Sequence, residues 1–462
     1  MHTDAPKIPR LFGTDGVRGL ANFHPMTAEG ALRLGQAAGQ VLRRPDHRGG
    51  TVVIGKDTRL SGYLFESALR AGFNSVGMHC IQVGTIPTPA VAYLTRAFRA
   101  EIGVVISASH NPFHDNGIKF FGPNGMKLPD EVERTIEARF FQDPVITDPP
   151  DPAHLGRAQR IEDSRGRYIE FCKNTFPRDL RLTGLKIVVD CANGAAYRVA
   201  PEVFWELGAE DVIPLGVAPN GLNINSGCGS LYPDLMRAKV QETGADIGLA
   251  LDGDADRLLV CDEQRRLLDG DQMLAMSALM LKEQNALRGG AVVGTVMSNL
   301  GLERFLQSQD LQLIRANVGD RYVLESMLSA GCNLGGEQSG HMIFLDYNTT
   351  GDGIVSALKI LERMVTQQKP LSALAAQFET VPQLLKNVVI PRDSNPLSTP
   401  TVQATIAAAE AALGSAGRIL VRPSGTEPKI RVMAEGDSME RITALVDEIC
   451  QTIQRTTDAS GE

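Results

Sequence analysis

Short apolar runs alternate with amphipathic stretches along most of the chain. Apolar runs bounded by turn residues are typical of buried strands, and apolar residues repeating about every 3.6 positions are typical of helices. The apolar runs predict strands at 51–54, 79–83, 102–106, 185–190, 212–215, 246–251 and 291–296. The amphipathic stretches predict helices at 61–76, 88–99, 196–207, 233–243, 301–309 and 321–330, with Ser61 as the cap of the first. This alternation predicts α/β domains with largely parallel sheets.

Two proline-rich segments interrupt the pattern, at 143–154 and at 391–400. Because proline favours turns over helices and central strands, we expect domain boundaries there. The part after the second segment has a different order of elements. It predicts a helix at 401–413, strands at 418–421 and 430–434, and a helix at 439–454. This order predicts a smaller α+β domain at the C-terminal end.

The composition narrows the classes of function. The chain has 462 residues and a net charge of −8 without a basic run, so nucleic acid is not an expected partner. No apolar stretch is long enough to span a membrane and residues 1–10 lack an apolar core, so we expect neither a membrane span nor a signal peptide. The seven cysteines are an odd number without a Cys-x-x-Cys pair. That pattern favours reduced thiols and a cytoplasmic location over disulfides or a zinc site.

Three aspartates, Asp252, Asp254 and Asp256, follow the predicted strand at 246–251. In extended chain alternate side chains share a face, so these carboxylates are expected to point the same way. Their mutual repulsion favours a bound cation, and an all-oxygen ligand set suits Mg²⁺. A calcium EF-hand loop is a weaker alternative, because Arg257 stands where that loop needs glycine and the flanks are strand-like. An ordinary surface loop is the other alternative.

A second polar loop follows the predicted strand at 102–106 and presents Ser109, with His110 beside it and Lys119 further on. A loop serine often only caps a turn or contacts solvent, but a serine beside a divalent metal can carry a phosphoryl group. A third, glycine-rich loop lies at 335–341. Because ligands of open α/β sheets gather at the carboxyl ends of strands, we expect these three loops to meet in one cleft.

The C-terminal part contains a loop with the groups that a phosphate monoester needs. Arg422 and Arg431 flank the hydroxyls of Ser424 and Thr426, and they also flank Gly425, whose backbone amide is open to approach. The alternative is that both arginines are exposed strand residues.

Four motifs in this order resemble the α-D-phosphohexomutase superfamily over essentially the whole chain. They are Ser-Ala-Ser-His-Asn-Pro at 107–112, Asp-Gly-Asp-Ala-Asp-Arg at 252–257, Gly-Glu-Gln-Ser-Gly-His at 336–341 and Arg-Pro-Ser-Gly-Thr-Glu-Pro at 422–428. The resemblance implies four domains around a central cleft: three related α/β domains with mixed sheets, and a C-terminal α+β domain like the TATA-binding protein. Mixed sheets amend the expectation of largely parallel ones. We expect the domains to cover 1–160, 161–264, 265–380 and 381–462.

The resemblance also implies a role for each candidate residue. Ser109 is expected to be a phosphoserine whose phosphate joins Asp252, Asp254 and Asp256 around one Mg²⁺ per chain. The residues expected at the catalytic centre, where Lys119 or His341 transfers a proton, are Arg18, His110, Lys119, Arg257 and His341. Those expected to bind sugar hydroxyls are Glu337 and Ser339. Those expected to hold the phosphate that is not reacting are Arg422, Ser424, Gly425, Thr426 and Arg431.

The implied activity interconverts the 6-phosphate and the 1-phosphate of a hexose, with a hexosamine 1,6-bisphosphate as intermediate and activator. Residues 11–19 and Gln338 are similar to the branch that acts on glucosamine phosphates and supplies UDP-N-acetylglucosamine for the cell wall. The branches that act on mannose or glucose phosphates are the alternative. A metal-dependent phosphatase is a more distant alternative. A non-catalytic sugar-phosphate sensor is another, which the sequence does not favour because no motif residue is lost. The expected partner is a small sugar phosphate, and a homodimer stays open.

Overall fold

The elements of the computed structural model fall into four successive units. The structure describes residues 10–13, 15–43, 49–391, 394–424 and 428–459. Within these residues the strands form four sheets, one in each unit.

The first unit contains a mixed sheet. Its strands are β1 (Val17–Leu20), β2 (Thr51–Lys56), β3 (His79–Thr85), β4 (Ile102–Ile106), β5 (Asp115–Phe121) and β6 (Ala158–Arg160). Its helices are α1 (Ala28–Leu42), α2 (Gly62–Ser75), α3 (Thr88–Ala97) and α4 (Asp130–Phe140). The strand order is β1-β5-β4-β2-β3-β6, in which β5 is antiparallel to both of its neighbours and the other pairs are parallel.

The second and third units repeat this mixture of parallel and antiparallel pairs. The second contains α5 (Ser164–Asn174), β7 (Lys186–Asp190), α6 (Val199–Glu206), β8 (Asp211–Leu215), α7 (Asp234–Thr243), β9 (Ile247–Leu251), β10 (Leu258–Asp262) and β11 (Leu267–Leu268), with the strand order β11-β10-β9-β7-β8. The third contains α8 (Gly270–Glu283), β12 (Ala291–Thr295), α9 (Leu300–Ser308), β13 (Gln312–Ala316), α10 (Asp320–Ala330), β14 (Leu334–Gly336), β15 (Met342–Phe344), α11 (Gly353–Gln367) and α12 (Leu371–Ala375), with the order β13-β12-β14-β15.

The fourth unit is an antiparallel sheet with two flanking helices among its described residues. It contains β16 (Gln383–Val389), α13 (Pro400–Leu413), β17 (Gly417–Pro423), β18 (Lys429–Gly436) and α14 (Met439–Ala459). The strand order is β16-β18-β17, and both pairs are antiparallel. This matches the α+β unit predicted at the C-terminal end.

One arrangement recurs in the first three units. A parallel strand leads into a loop and the chain returns as an antiparallel neighbour: β4 to β5, β9 to β10, and β14 to β15. The serine, aspartate and glycine-rich loops of the sequence are these three connections. The expectation of mixed sheets in three related units is confirmed, and that of largely parallel sheets is wrong. Alternation of helices and strands in the sequence indicates parallel strands that are joined through a helix. A strand that returns through a loop pairs antiparallel and has no helix before it, so the alternation does not indicate it.

One expectation about local structure is wrong. Ser61 precedes α2, but its backbone already has helical angles (φ −63°, ψ −16°), and its hydroxyl accepts a hydrogen bond from Asn116 Nδ2 at 2.8 Å instead of capping the helix. The proline-rich segments do not separate sheets. Residues 143–154 connect α4 to β6 of the same sheet, and residues 391–400 follow β16, which pairs with β18 along its full length.

The buried core divides the molecule differently from the sheets. One continuous apolar cluster runs through the first three units and includes Val53, Leu249 and Leu358. The fourth unit has a separate core, which includes Val432 and Ile449. The first three units therefore form one packed body, whereas the fourth is attached to it chiefly by other contacts.

Polar contacts attach the fourth unit to the third. Arg418 donates to the carbonyl oxygens of Val296 at 2.8 Å and Ser298 at 3.1 Å, and Glu435 accepts from the Leu300 backbone N–H at 2.6 Å. Arg418 and Glu435 also form an ion pair, in which Glu435 is fully buried. Polar interdomain junctions of this kind permit relative motion more readily than large apolar ones.

The described helices and the cysteines bear on two expectations from the sequence. Among the described helices, none combines the length and the apolar character that a bilayer crossing requires. All seven cysteines have free thiols, and all except Cys450 are buried. Burial raises the pKa of the Cys172 and Cys191 thiols, as expected of cysteines that act as small apolar core residues.

Candidate active site

The three aspartates converge on the turn between β9 and β10. Oxygen atoms of Asp252, Asp254 and Asp256 lie within 4.8 Å of one another, and all three residues are buried. The convergence is as predicted, but its cause is different, because the chain is not extended here. Asp252 O accepts from the Ala255 N–H at 3.1 Å, and Ala255 adopts a left-handed conformation (φ 58°) that turns the chain. The antiparallel strands on either side exclude an EF-hand, which needs flanking helices.

The aspartate cluster is short of positive charge. Burial, with the charges of Asp256 and Asp254, raises the pKa of Asp252 well above its ordinary value. Burial acts the same way on Asp256, but Lys119 and a hydrogen bond from His341 outweigh it and lower the pKa of Asp256. One oxygen each of Asp254 and Asp256 is buried without a hydrogen-bond partner among the described residues. A hard divalent cation such as Mg²⁺ fits this set of oxygen atoms.

Ser109 lies in the loop between β4 and β5 and reaches the aspartate cluster. Its hydroxyl donates to Asp252 Oδ2 at 2.5 Å, and His110 Nδ1 is 3.4 Å from the same hydroxyl. Ser109 is buried, with 1% of its surface exposed. The serine is therefore placed where its oxygen could join the carboxylates around one ion.

Lys119, on β5, is the principal cation of the cluster. Its Nζ lies 2.9 Å from Asp254, 3.6 Å from Asp256 and 3.1 Å from Asp15. Burial alone would lower its pKa, but these three carboxylates raise it above its ordinary value. Lys119 is therefore fully protonated at neutral pH.

Lys119 belongs to a closed ring of alternating acidic and basic side chains from three units. The ring runs through Asp256, Lys119, Asp15, Lys127, Asp320 and His341 and returns to Asp256. Lys127 lies 2.6 Å from Asp320, and the two nitrogens of His341 lie 3.8 Å from Asp320 and 3.7 Å from Asp256. No role was predicted from the sequence for Asp15, Lys127 and Asp320, because single charged residues far apart in sequence carry no spacing signal.

The remaining residues expected at the catalytic centre surround this ring. Arg18 pairs with Asp15, and Arg257 Nε lies 3.8 Å from Asp256 Oδ1. Burial and the charges of Arg257 and Arg18 lower the pKa of His110 to about 4, so its ring is neutral near pH 7. His341 is buried, and its Nε2 accepts from the Gly351 N–H at 3.1 Å, which places the proton of the neutral ring on Nδ1, facing Asp256.

The glycine-rich loop between β14 and β15 abuts the aspartate loop. The Leu258 N–H, at the end of the aspartate loop, donates to Gly340 O at 3.1 Å. Glu337 accepts from the Gly319 N–H at 2.8 Å and from the Ser339 hydroxyl at 3.3 Å. The three loops expected in one cleft are thus in contact, and Glu337 and Ser339 lie together at its third-unit side.

The loop of the fourth unit lies between β17 and β18. Arg422 and Arg431 stand directly opposite each other on these strands, an arrangement of like charges that is unfavourable unless an anion lies between them. Burial and Arg431 lower the pKa of Arg422. Arg422 Nε and Ser424 Oγ are buried without a hydrogen-bond partner in the part of the chain that the structure describes. The other two predicted phosphate ligands, Gly425 and Thr426, lie outside the described residues.

The fold and the four loops define a hexose-phosphate mutase. The chain belongs to the phosphoglucomutase/phosphomannomutase family: the models of its alpha/beta/alpha domains I, II and III match residues 9–145, 166–265 and 269–381, and that of its C-terminal domain matches 385–452. Within this family of isomerases it groups with the phosphoglucosamine mutases. It is 63% identical to the phosphoglucosamine mutase of Magnetococcus marinus over 453 residues, which cover 98% of this chain and 93% of that one. It is 58% identical to the phosphoglucosamine mutase of Paracoccus denitrificans, covering 96% and 99% of the two chains.

Solved structures share the fold. A phosphoglucomutase/phosphomannomutase family protein from Burkholderia thailandensis superposes with a TM-score of 0.80 at 23% identity, covering 96% of this chain and 97% of that one. The N-acetylphosphoglucosamine mutase of Aspergillus fumigatus, in complex with GlcNAc-6P and magnesium, superposes with a TM-score of 0.69 at 19% identity, covering 97% and 96%. The arrangement of four units is therefore that of the phosphohexomutases.

Proposed function

We propose that this chain interconverts glucosamine 6-phosphate and glucosamine 1-phosphate, with Ser109 as the carrier of the phosphoryl group. The observation that carries the proposal is the contact of the buried Ser109 hydroxyl with Asp252, whose pKa is raised by burial and by the two neighbouring carboxylates. The relatives named phosphoglucosamine mutase, at 56% to 63% identity over nearly the whole chain, support the choice of the amino sugar.

The proposed reaction moves one phosphoryl group out and another back. Phosphorylated Ser109 transfers its phosphoryl group to O1 of glucosamine 6-phosphate, whose hydroxyl proton passes to a base of the enzyme. The serine oxygen takes up a proton as its bond to phosphorus breaks, which leaves a free hydroxyl. The resulting 1,6-bisphosphate reorients in the cleft. Its 6-phosphoryl group returns to Ser109, whose hydroxyl proton passes to a base of the enzyme as O6 takes up a proton, and glucosamine 1-phosphate leaves. The sugar thus ends with one phosphate, and the serine ends phosphorylated as it began.

We assign the metal and proton roles to residues of the first three units. Ser109, Asp252, Asp254 and Asp256 would hold one Mg²⁺. When bound, this ion offsets negative charge on the phosphoryl group during transfer. Lys119 is held protonated by its carboxylate neighbours, which suits it to neutralise charge and to return a proton to the leaving oxygen. His341 is the second candidate for proton transfer. Its Nε2 accepts a hydrogen bond from the Gly351 N–H, so this nitrogen can take up a proton only after that hydrogen bond breaks.

The other basic side chains of the centre have electrostatic roles in this proposal. Arg18 and Arg257 would face the transferring group, and neutral His110 would contact the serine oxygen as a hydrogen-bond partner. Arg18 and Arg257 are already held by ion pairs with Asp15 and Asp256, so they would need little reorganisation during transfer.

Sugar and phosphate would be held from opposite sides of the cleft. Glu337 and Ser339 would bind sugar hydroxyls, a role that both orientations of the bisphosphate must allow. Arg422, Ser424 and Arg431, with the predicted Gly425 and Thr426, would hold the phosphate that is not reacting. The separate core of the fourth unit supports a phosphate site that can adjust to either end of the sugar.

A coupled assay with purified protein tests the proposal. Turnover of glucosamine 6-phosphate is expected to exceed that of mannose 6-phosphate and glucose 6-phosphate, and Ser109→Ala is expected to abolish it. A preference for mannose or glucose phosphates would replace the proposed substrate, and release of inorganic phosphate in place of the 1-phosphate would indicate a phosphatase. Near-normal turnover by Ser109→Ala would refute Ser109 as the carrier.

The cytoplasm is the compartment that we propose for this activity. Seven free thiols in a chain of 462 residues are typical of a reducing environment. Detection of the protein in the separate fractions of disrupted cells tests this location. Recovery outside the cytoplasmic fraction would contradict it.

A further inference from the structure

Ser109 has a backbone conformation that needs support. Its φ of 51° lies in the left-handed region, which is unfavourable for a residue that carries a Cβ atom. The Ser109 N–H donates to Ser107 Oγ at 3.0 Å, which satisfies the amide but does not fix the carbonyl side of the residue. Strained residues at functional sites persist only where their surroundings determine the conformation.

The first unit supplies one support, Arg59. This arginine is fully buried, and its guanidinium donates to the carbonyl oxygens of Ser109 at 3.1 Å and Asn111 at 2.5 Å. Asp57 forms an ion pair with the same guanidinium and accepts from the Arg59 N–H at 2.9 Å. The guanidinium is thus held in place while it binds two carbonyls of the serine loop.

The second unit supplies another support, Asn225, which binds the same two carbonyls. Its Nδ2 donates to Ser109 O at 2.9 Å and to Asn111 O at 3.0 Å, and its own backbone N–H donates to Ala192 O at 2.8 Å. Asn225 is buried and precedes α7 on the loop that follows β8. Because the aspartate loop is also part of the second unit, Asn225 links the serine to the body that carries its metal ligands.

We propose that Asn225 is a positioning residue for the phosphoryl carrier. Its two hydrogen bonds fix the left-handed turn at Ser109, and through it the distance between the serine oxygen and the carboxylates. The side-chain amide nitrogen of Asn225 donates to two backbone carbonyl oxygens of the serine loop, so Asn225 acts on the reaction through Ser109. This inference rests on the proposed function, since it concerns the placing of a serine that transfers phosphate.

Steady-state kinetics of Asn225→Asp test the role. The substitution keeps the size of the side chain but turns an oxygen toward two carbonyl oxygens, which must then move apart. Displacement of a reacting group by about 1 Å can cost roughly 10²-fold in rate, so kcat is expected to fall by about that factor while KM changes less than about threefold. Asn223→Asp is the matched control, because Asn223 lies two positions away and, within the described residues, its Nδ2 donates to Ala218 O alone, at 3.1 Å, in its own loop.

The outcomes separate the positioning role from a merely structural one and from the proposed function. A kcat of Asn225→Asp equal to that of Asn223→Asp, or a loss confined to KM, would overturn the positioning role. If Asn225→Asp does not fold, Asn225→Ala carries the same test, because it removes the donor without adding charge. A wild-type chain without activity on glucosamine 6-phosphate would refute the proposed function, whereas an active wild type with an unaffected variant refutes the positioning role alone.

Discussion

Gly253, between the first two aspartates of the metal cluster, provides a sharp test of how closely the serine and aspartate loops must approach. A Cβ atom at this position would lie 2.6 Å from Ser109 O, 2.8 Å from Asn225 Nδ2 and 2.9 Å from Ile224 Cδ1. The backbone of Gly253 is not in the left-handed region, so alanine adds no conformational strain there. Any effect of Gly253→Ala on the reaction therefore comes from contact with the serine loop and with the Ile224 and Asn225 side chains beside it.

The size of the effect follows from these distances. Ordinary contact begins near 3.4 Å, so the serine loop and the aspartate loop must separate by about 0.8 Å. Ser109 Oγ would then lose its close approach to Asp252. A displacement of this size is expected to lower kcat roughly ten- to a hundredfold, which corresponds to about 1.4–2.7 kcal/mol of lost transition-state stabilisation.

The assay compares Gly253→Ala with Gly166→Ala in the coupled glucosamine phosphate assay at saturating Mg²⁺. Gly166 lies in α5, and a Cβ there would meet nothing within 4 Å. The control is expected to keep full activity and to gain roughly 0.5–1 kcal/mol of stability from better helix propensity. If Gly253→Ala were as active as this control, the serine would not depend on close contact with the aspartate loop.

Three further predictions concern the phosphate loop, the metal cluster and a buried carboxyl. Arg422→Ala is expected to weaken substrate binding by about 1.5–3 kcal/mol, the scale of a charged hydrogen bond, and unchanged kinetics would remove that loop from the site. Asp254→Asn is expected to lower kcat by roughly 10²-fold or more even in excess Mg²⁺, and full rescue by magnesium would contradict its role as a ligand. Burial and Asp269 raise the pKa of Asp271 to about 7, so the folded chain keeps a proton that the unfolded chain gives up at lower pH. Stability contributed by this group is therefore lost as pH rises from about 4 to about 7. Asp271→Asn is expected to reduce the fall in Tm between about pH 5 and pH 8. If the fall in Tm is the same in the variant, groups other than Asp271 cause it.

Much of the fold and of the site was predictable because the signals are local. Apolar runs gave the strands that precede the serine and aspartate loops, and the rule that ligands gather at strand ends predicted their meeting. Repulsion among three carboxylates within five positions predicted a bound cation. The opposed Arg422 and Arg431 could be anticipated from the loop motif, although their exact pairing needed the strand register.

What the sequence could not reveal depends on distant pairing. Lys127 contacts Asp320, 193 positions away, and Asn225 contacts Ser109, 116 positions away. No periodicity connects such residues, since only the packing of three units brings them together. The turn at Ala255 was not predicted either. Alternation of side chains along an extended chain predicted that the three carboxylates converge, whereas the left-handed turn at Ala255 is what brings them together.

Peptide mass spectrometry of the phosphorylation state of Ser109 tests the central claim most directly. Protein treated with glucosamine 1,6-bisphosphate is expected to carry one phosphate, on the peptide that contains Ser109, and to transfer it when glucosamine 6-phosphate is added. With an isotopic label in the serine phosphate, the label should then appear on the sugar in stoichiometric amount, while the 6-phosphoryl group of the substrate restores the phosphate on Ser109. An enzyme that turns over at its full rate while Ser109 stays unmodified would contradict the account.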